Sequence, residues 1–235
     1  MKTIFISGAN SAIAFEYVNR VAQDYDQIIL HYAHRRNRVD SLLDKYGTKI
    51  IPLCADLSNN DEVNQLTEIL KEYEINEFLH LAAPSLHHIR LSKGKIEEYE
   101  NEMQVVCWAF LRICQTILPG MVKRNEGRIL AVLTEYTITN QPPFLSHYIT
   151  AKYALLGLIK CIASEYAAKG IRANGISPGM IETDFISNLP QYIVDDNAKG
   201  MPGGRNLLPA DLLPSIDFLL SKESASINGQ NILIH

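Results

Sequence analysis

Thr3-Ile4-Phe5-Ile6-Ser7-Gly8-Ala9-Asn10-Ser11-Ala12-Ile13-Ala14 opens the chain with an apolar run, a turn of small residues and the first residues of a helical pattern. Its β-branched and aromatic residues favour a strand at 3–7, and the apolar spacing that follows favours a helix over 11–23. A strand that enters a helix through small residues is the geometry in which backbone N–H groups and the helix dipole meet a dinucleotide pyrophosphate. Gly8 is the one glycine of this turn. Ala12 and Ala14 each carry a methyl that restricts φ and takes space near the phosphates.

Outward from this unit, strands alternate with helices. The pattern predicts strands near 27–32, 49–54, 77–82, 128–134, 171–177 and 230–234, and helices near 37–46, 60–74, 97–124, 148–169 and 209–221. This is the α/β pattern of a doubly wound, seven-stranded parallel sheet covered by helices on both faces. At 235 residues and 47% hydrophobic, one domain over 1–235 is expected. Residues 182–209 hold Pro190, Gly200, Pro202, Gly203 and Gly204 with little periodicity and are expected to form a loop or lid over a site.

The net charge of −4 and the lack of long Lys/Arg blocks argue against a nucleic-acid partner. The continuous apolar stretches are shorter than a membrane span, and Met1-Lys2 leads into a strand rather than a signal peptide, so no membrane partner and a cytoplasmic location are expected. Cys54, Cys107, Cys114 and Cys161 sit in apolar segments without a Cys-x-x-Cys pair and read as buried reduced thiols, with no metal site. His87-His88 lacks a third ligand at a useful spacing and reads as pocket rim. The acidic run from Glu97 to Glu102 reads as a helix opening that complements the dipole.

Tyr148 and Lys152 stand four apart in a segment with helical spacing, which places an ammonium beside a phenol. A neighbouring positive charge favours the phenolate and lowers the phenol pKa from its usual value of about 10. The pair is suited to exchanging a proton with a carbonyl or alcohol oxygen.

Together these pieces resemble the short-chain dehydrogenase/reductase family over nearly the whole chain. The run from Ser7 to Ala14 is similar to its Thr-Gly-x-x-x-Gly-x-Gly cofactor turn, and Tyr148-x-x-x-Lys152 to its Tyr-x-x-x-Lys helix. Asn174 to Thr183 is similar to its Asn-x-x-x-Pro-Gly-x-x-x-Thr run. The resemblance implies a single-domain Rossmann fold like that of the 3-oxoacyl-acyl-carrier-protein reductases. It implies Tyr148 as general acid, Lys152 as the group that lowers its pKa and holds the nicotinamide ribose, and a hydroxyl from Thr134 to polarise the carbonyl, with Thr137 as the fallback. It also implies cofactor contacts from Ser7, Gly8, Asn10, Ser11, Ala12, Ile13, Asp56, Leu57, Ala82, Ala83, Pro178, Gly179, Ile181 and Thr183. Pairing through the helices 97–124 and 148–169, giving homodimers or homotetramers, follows from the same likeness, as does a small-molecule carbonyl or acyl-thioester substrate.

The end of the second strand, which faces the adenosine ribose in this fold, has no acid. It carries His34, Arg35 and Arg36, which match phosphate oxygens, so NADP(H) is the expected cofactor. The family's relay asparagine falls at Val106, and the amides after the fourth strand are replaced by His80-Leu81-Ala82-Ala83. His80 is expected to be a satisfied histidine at a strand end. These departures leave open a second reading, a catalytically impaired cofactor-binding or structural subunit, beside that of an NADPH-dependent carbonyl reductase.

Overall fold

A computed structural model describes residues 1–235. The opening run forms strand β1, Thr3–Ser7, and helix α1, Ala12–Val21, capped by the Ser11 side chain, which accepts from the Ala14 N–H at 3.2 Å. Strand β2, Gln27–Tyr32, and helix α2, Asn37–Tyr46, have the predicted limits. Strand β3, Ile50–Cys54, is followed by helix α3, Asn60–Leu70, and by strand β4, Glu77–His80. Strand β5, Gly127–Val132, and strand β6, Ile171–Pro178, flank the long helix of Tyr148 and Lys152. Strand β7, Asn231–Ile234, completes the sheet.

The sheet is parallel throughout, in the order β3-β2-β1-β4-β5-β6-β7. The chain therefore reverses direction across the sheet between β1 and β4, which opens a crevice at the carboxyl ends of these strands. Because alternate residues point to opposite faces, Phe5, Ile29, Phe78 and Ile129 join one core while Ile4, Ile6, Ile28, Leu30, Leu79 and Leu130 join the other. Phe78 stacks between Phe5 and Phe110, with ring centroids 5.2 and 5.5 Å away.

The helix predicted over 97–124 is broken into three parts. Helix α4, Ile96–Glu102, gives way to a π turn, Met103–Trp108, before helix α5, Ala109–Arg124. By length and composition the whole run, Ile96–Arg124, could cross a membrane, with a mean hydropathy of 1.6 over its most apolar window; half of that window is buried within the protein. The expectation of short apolar stretches counted continuous runs, whereas here Arg112, Gln115 and Thr116 interrupt a helix that is still apolar on average.

Helix α6 spans Ser146–Tyr166, starting before Tyr148. The segment 182–209 is not one irregular loop, because it contains helix α7, Gln191–Gly200, none of whose residues is buried. The half-buried face of α7 is only Ile193, Val194, Asn197 and Ala198, too short a stripe to stand out beside the surrounding prolines and glycines. Its base is tied by a bridge between Ile181 and Leu207. Helix α8, Pro209–Leu220, returns the chain to the second core.

The four thiols are free, but only Cys107 and Cys114 are buried. Cys54 lies on the edge strand β3 and Cys161 on an outer position of α6, so both are exposed.

Candidate active site

A cleft of about 820 Å³ runs along the carboxyl ends of the strands, from the end of β2 to the start of α6. Gly8 sits at its floor with φ of +72°. A Cβ there would lie 2.8 Å from the backbone of Leu81 and of Ala82, so only a glycine lets β1 and the segment after β4 close up under the cleft. Asn10, Ser11, Ala12 and Ile13 line the cleft where the first N–H groups of α1 lack intrahelical partners. Asp56, Leu57, Ala82, Ala83, Pro178, Gly179, Ile181 and Thr183 line it as well. A glycine without room for a methyl, a helix N-terminus and basic side chains at one end suit a dinucleotide.

Two of the expected contacts lie elsewhere. Ser7 is fully buried beneath the cleft, its hydroxyl 2.7 Å from His80 Nδ1. Arg36 is drawn back along α2, 2.6 Å from Asp40 and 5.5 Å from the centre of the Tyr32 ring. His34 and Arg35 line the cleft, and so does Arg38. Its Nη1 donates to the Asn10 carbonyl at 3.0 Å and to Asp184 at 2.7 Å, while its N–H donates to the Asn10 side chain.

Two histidines brace the floor. His31 accepts from the Gly8 N–H at 3.3 Å through Nδ1, and its Nε2 lies 2.9 Å from the Ala55 carbonyl. His80 Nε2 lies 3.1 Å from the Val106 carbonyl. A carbonyl only accepts, so Nε2 bears the proton in both rings and Nδ1 accepts, from Gly8 N–H in one and from the Ser7 hydroxyl in the other. His80 is thus a satisfied histidine. Burial lowers His31 to about 4 and His80 to about 3.

Both rings are neutral in the fold and take up protons more readily when unfolded. The stability they contribute is complete above pH 6.5 and is lost as pH falls towards 4, by roughly 3 kcal/mol each. Glu102, raised by burial to about 7, acts with the opposite sign over the same interval, by a similar amount of about 3 kcal/mol. These three groups therefore predict a net loss of about 3 kcal/mol between pH 7 and pH 4, read as a falling urea midpoint. A flat profile would refute neutral rings.

At the other end of the cleft, Thr134 follows β5 while Tyr148 and Lys152 project from one face of α6, and all three side chains line the cavity. Lys152 Nζ donates to the Val132 carbonyl at 2.7 Å and lies 5.7 Å from the centre of the Tyr148 ring. Thr137 is committed elsewhere, to the Thr134 carbonyl, Ser177 and Asn231. Burial lowers Lys152 to about 8, against the pull of Glu102. Burial raises Tyr148 above the usual phenol value; the Thr134 hydroxyl pulls it down, and Glu102 is among the groups that push it up. The expected lowering by Lys152 is not seen: Lys152 is not among the groups that move the Tyr148 phenol, and desolvation dominates.

The profile of the family described as enoyl-(acyl carrier protein) reductase, a branch of the short-chain dehydrogenases, matches residues 8–235. The chain belongs to the short-chain dehydrogenase/reductase family. Among the relatives of this oxidoreductase, the 3-oxoacyl-acyl-carrier-protein reductase FabG of Thermotoga maritima is 27% identical over 235 residues, covering 98% of this chain and 95% of that one. The FabG of Chlamydia muridarum is 25% identical over 233 residues, covering 97% and 94%. Levodione reductase has the same fold, with a TM-score of 0.89 at 19% identity, covering 99% of this chain and 95% of the other. So does a gluconate 5-dehydrogenase from Burkholderia cenocepacia, solved with NADP and tartrate, with a TM-score of 0.88 at 20% identity over 99% and 93%.

In this family member, sequence reasoning missed His31, Arg38 and Glu102. His31 left a faint signal as a histidine inside a strand with neighbours buried on both sides. Arg38 left none to separate it from Arg35 and Arg36. Glu102 was hidden in an acidic run, yet it is turned inward and only 1% exposed.

Proposed function

We propose that this chain reduces a ketone or a 3-oxoacyl thioester to an alcohol with NADPH. The observation that carries the reading is the convergence of Thr134, Tyr148 and Lys152 at one end of a single cleft whose far end is basic. Bound NADPH supplies a hydride to the carbonyl carbon. Thr134 orients the carbonyl oxygen through its hydroxyl, and Tyr148 gives that oxygen a proton. Lys152 holds the ribose and stabilises the phenolate left behind.

Arg35, Arg38 and His34 would hold the 2′-phosphate, Asn10 to Ile13 the pyrophosphate, Asp56 and Leu57 the adenine, and Ala82, Ala83, Pro178, Gly179, Ile181 and Thr183 the nicotinamide half. Residues 1–235 act as one dinucleotide-binding domain in the cytoplasm, and residues 182–209 cover the substrate end. Exposed Trp108 at the end of the π turn and exposed Tyr153 on α6 leave apolar surface for a homodimer or homotetramer.

The test is oxidation of NADPH by the purified protein with a panel of ketones, diketones and 3-oxoacyl thioesters. Turnover supports a reductase. Enhanced cofactor fluorescence without turnover supports instead the impaired cofactor-binding subunit, which Val106 in place of an amide favours.

Arg35→Ala is expected to raise the NADPH KM about tenfold or more and to leave the NADH KM unchanged, because a hydrogen bond between charged groups contributes about 1.5–3 kcal/mol. Arg36→Ala, which removes a side chain already paired with Asp40, should change neither by more than about twofold, the scale of a surface ion pair. Equal losses from both variants would move the phosphate site.

A further inference from the structure

Glu102 ends α4 with both carboxylate oxygens buried and without any hydrogen-bond partner in the protein. A carboxylate left so is costly unless a proton, water or a cation compensates it. The π turn Met103–Trp108 begins at the next residue, and α4 packs on α6, the helix of Tyr148 and Lys152. Four residues further on, Val106 presents only an apolar side chain, and its carbonyl is occupied by His80. Lys152 has one protein partner, the Val132 carbonyl, which leaves two of its three N–H donors free.

Resting on the assignment of Tyr148 as acid, we infer that Glu102 is the proton donor behind Lys152, linked to its ammonium by buried water. When the Tyr148 O–H bond breaks and the product O–H bond forms, Lys152 returns a proton to the phenolate. Water then returns one to Lys152, and the Glu102 carboxylic acid replaces the proton of that water and becomes a carboxylate. Solvent recharges Glu102 between turnovers, so no electrons move in the relay.

The electrostatics agree with this path. Burial raises Glu102 to about 7, with Lys152 and His87 pulling it down, and Lys152 lies at about 8, so a proton passes between groups of nearly equal affinity. Along the path, Tyr148 feels Glu102, Glu135 and Tyr136, His80 feels Lys152, and His147 on α6 feels His87, His88 and Glu98. His147 is fully buried with neither ring nitrogen bonded, and burial lowers its pKa, which disfavours a cation at that ring.

The experiment compares wild type, Glu102→Gln and Glu102→Asp. In the ligand-free protein, NMR of labelled lysine follows Lys152, and infrared difference spectra follow a protonated carboxyl that titrates near pH 7. Glu102→Gln is expected to lower the Lys152 midpoint and remove the carboxyl band. It is also expected to cut kcat about tenfold or more, the lower part of the range for acid–base groups, with both KM values unchanged, and to abolish the pH dependence of kcat near 7. Glu102→Asp, which keeps the acid, should recover most of kcat. An unchanged Lys152 midpoint, or a Gln variant with the wild-type pH profile, overturns the inference. Should wild type turn over no substrate, the reductase reading fails, and the two titrations decide alone: coupled midpoints uphold the link between Glu102 and Lys152 and independent ones overturn it.

Discussion

Tyr148→Phe is expected to lower carbonyl reduction about a thousandfold while NADPH affinity changes by less than about twofold, within the range for loss of a positioned general acid. The ring packs with Leu86, Leu145 and Ile149 and lies 6.1 Å from the Phe185 ring, contacts that phenylalanine keeps. Only the hydroxyl is lost, and with it the proton for the substrate oxygen. Thr134 and Lys152 remain in place, so the residual rate reports what orientation alone achieves. Single-turnover kinetics and cofactor fluorescence measure the two quantities separately. A variant that turns over at the wild-type rate would remove the phenol from the chemistry, and one that loses cofactor affinity in parallel would make its role structural.

Gly8→Ala acts on the opposite end of the problem, where the backbone itself forms the site. The left-handed conformation costs a residue with a Cβ about 1–2 kcal/mol, and the added carbon would also press on backbone atoms of Leu81 and Ala82 that no rotamer change can move. A destabilisation of about 3 kcal/mol is expected, which for a chain of this length lowers Tm by about 6–12 °C. Because β1 and the segment after β4 must separate to make room, the floor beneath the pyrophosphate widens and cofactor affinity falls by about tenfold or more, the cost of about one charge-assisted hydrogen bond. Calorimetry and fluorescence titration check both. A variant with native Tm would show that the turn is freer than its geometry implies.

Gly170→Ala would clash as severely, with the Asn125 carbonyl 2.1 Å from the new carbon, but it lies at the far end of the sheet from the cleft. Its effect belongs to stability and leaves the cofactor constant of the folded fraction unchanged.

Sheet and helices were legible where a segment carries a run of apolar residues and ends at a local stop. The limits of β1, β2 and α2 coincide with the expected ones, because Gly8, the charged residues after Tyr32 and Gly47 end them locally. The strand expected over 77–82 stops at His80, since Leu81 leaves the sheet to pass over Gly8. The π turn was invisible, as a six-residue change of hydrogen bonding leaves the apolar spacing nearly intact.

At the site, Tyr148 and Lys152 were readable because four residues of helix fix their neighbourhood without help from the rest of the chain. Thr134 needed only the end of one strand. The choice among Arg35, Arg36 and Arg38 depends on which guanidinium Asp40 captures and on Asp184, a residue 146 positions away from Arg38. Burial of Glu102 depends on how a distorted helix turns, which no local pattern announces.

The same distortion makes the helix before it a dial. Around an α-helix each residue advances about 100°, so loss of one codon from Met103–Trp108 would rewind the turn and swing everything upstream by that angle, carrying the Glu102 side chain out of the interior and bringing a neighbour in. Such a deletion leaves α5 and the sheet in place, and moves only the stretch of cleft wall that Asn101 and Val105 supply. A lineage could therefore gain or shed an internal acid through a single in-frame indel, without altering Thr134, Tyr148 or Lys152.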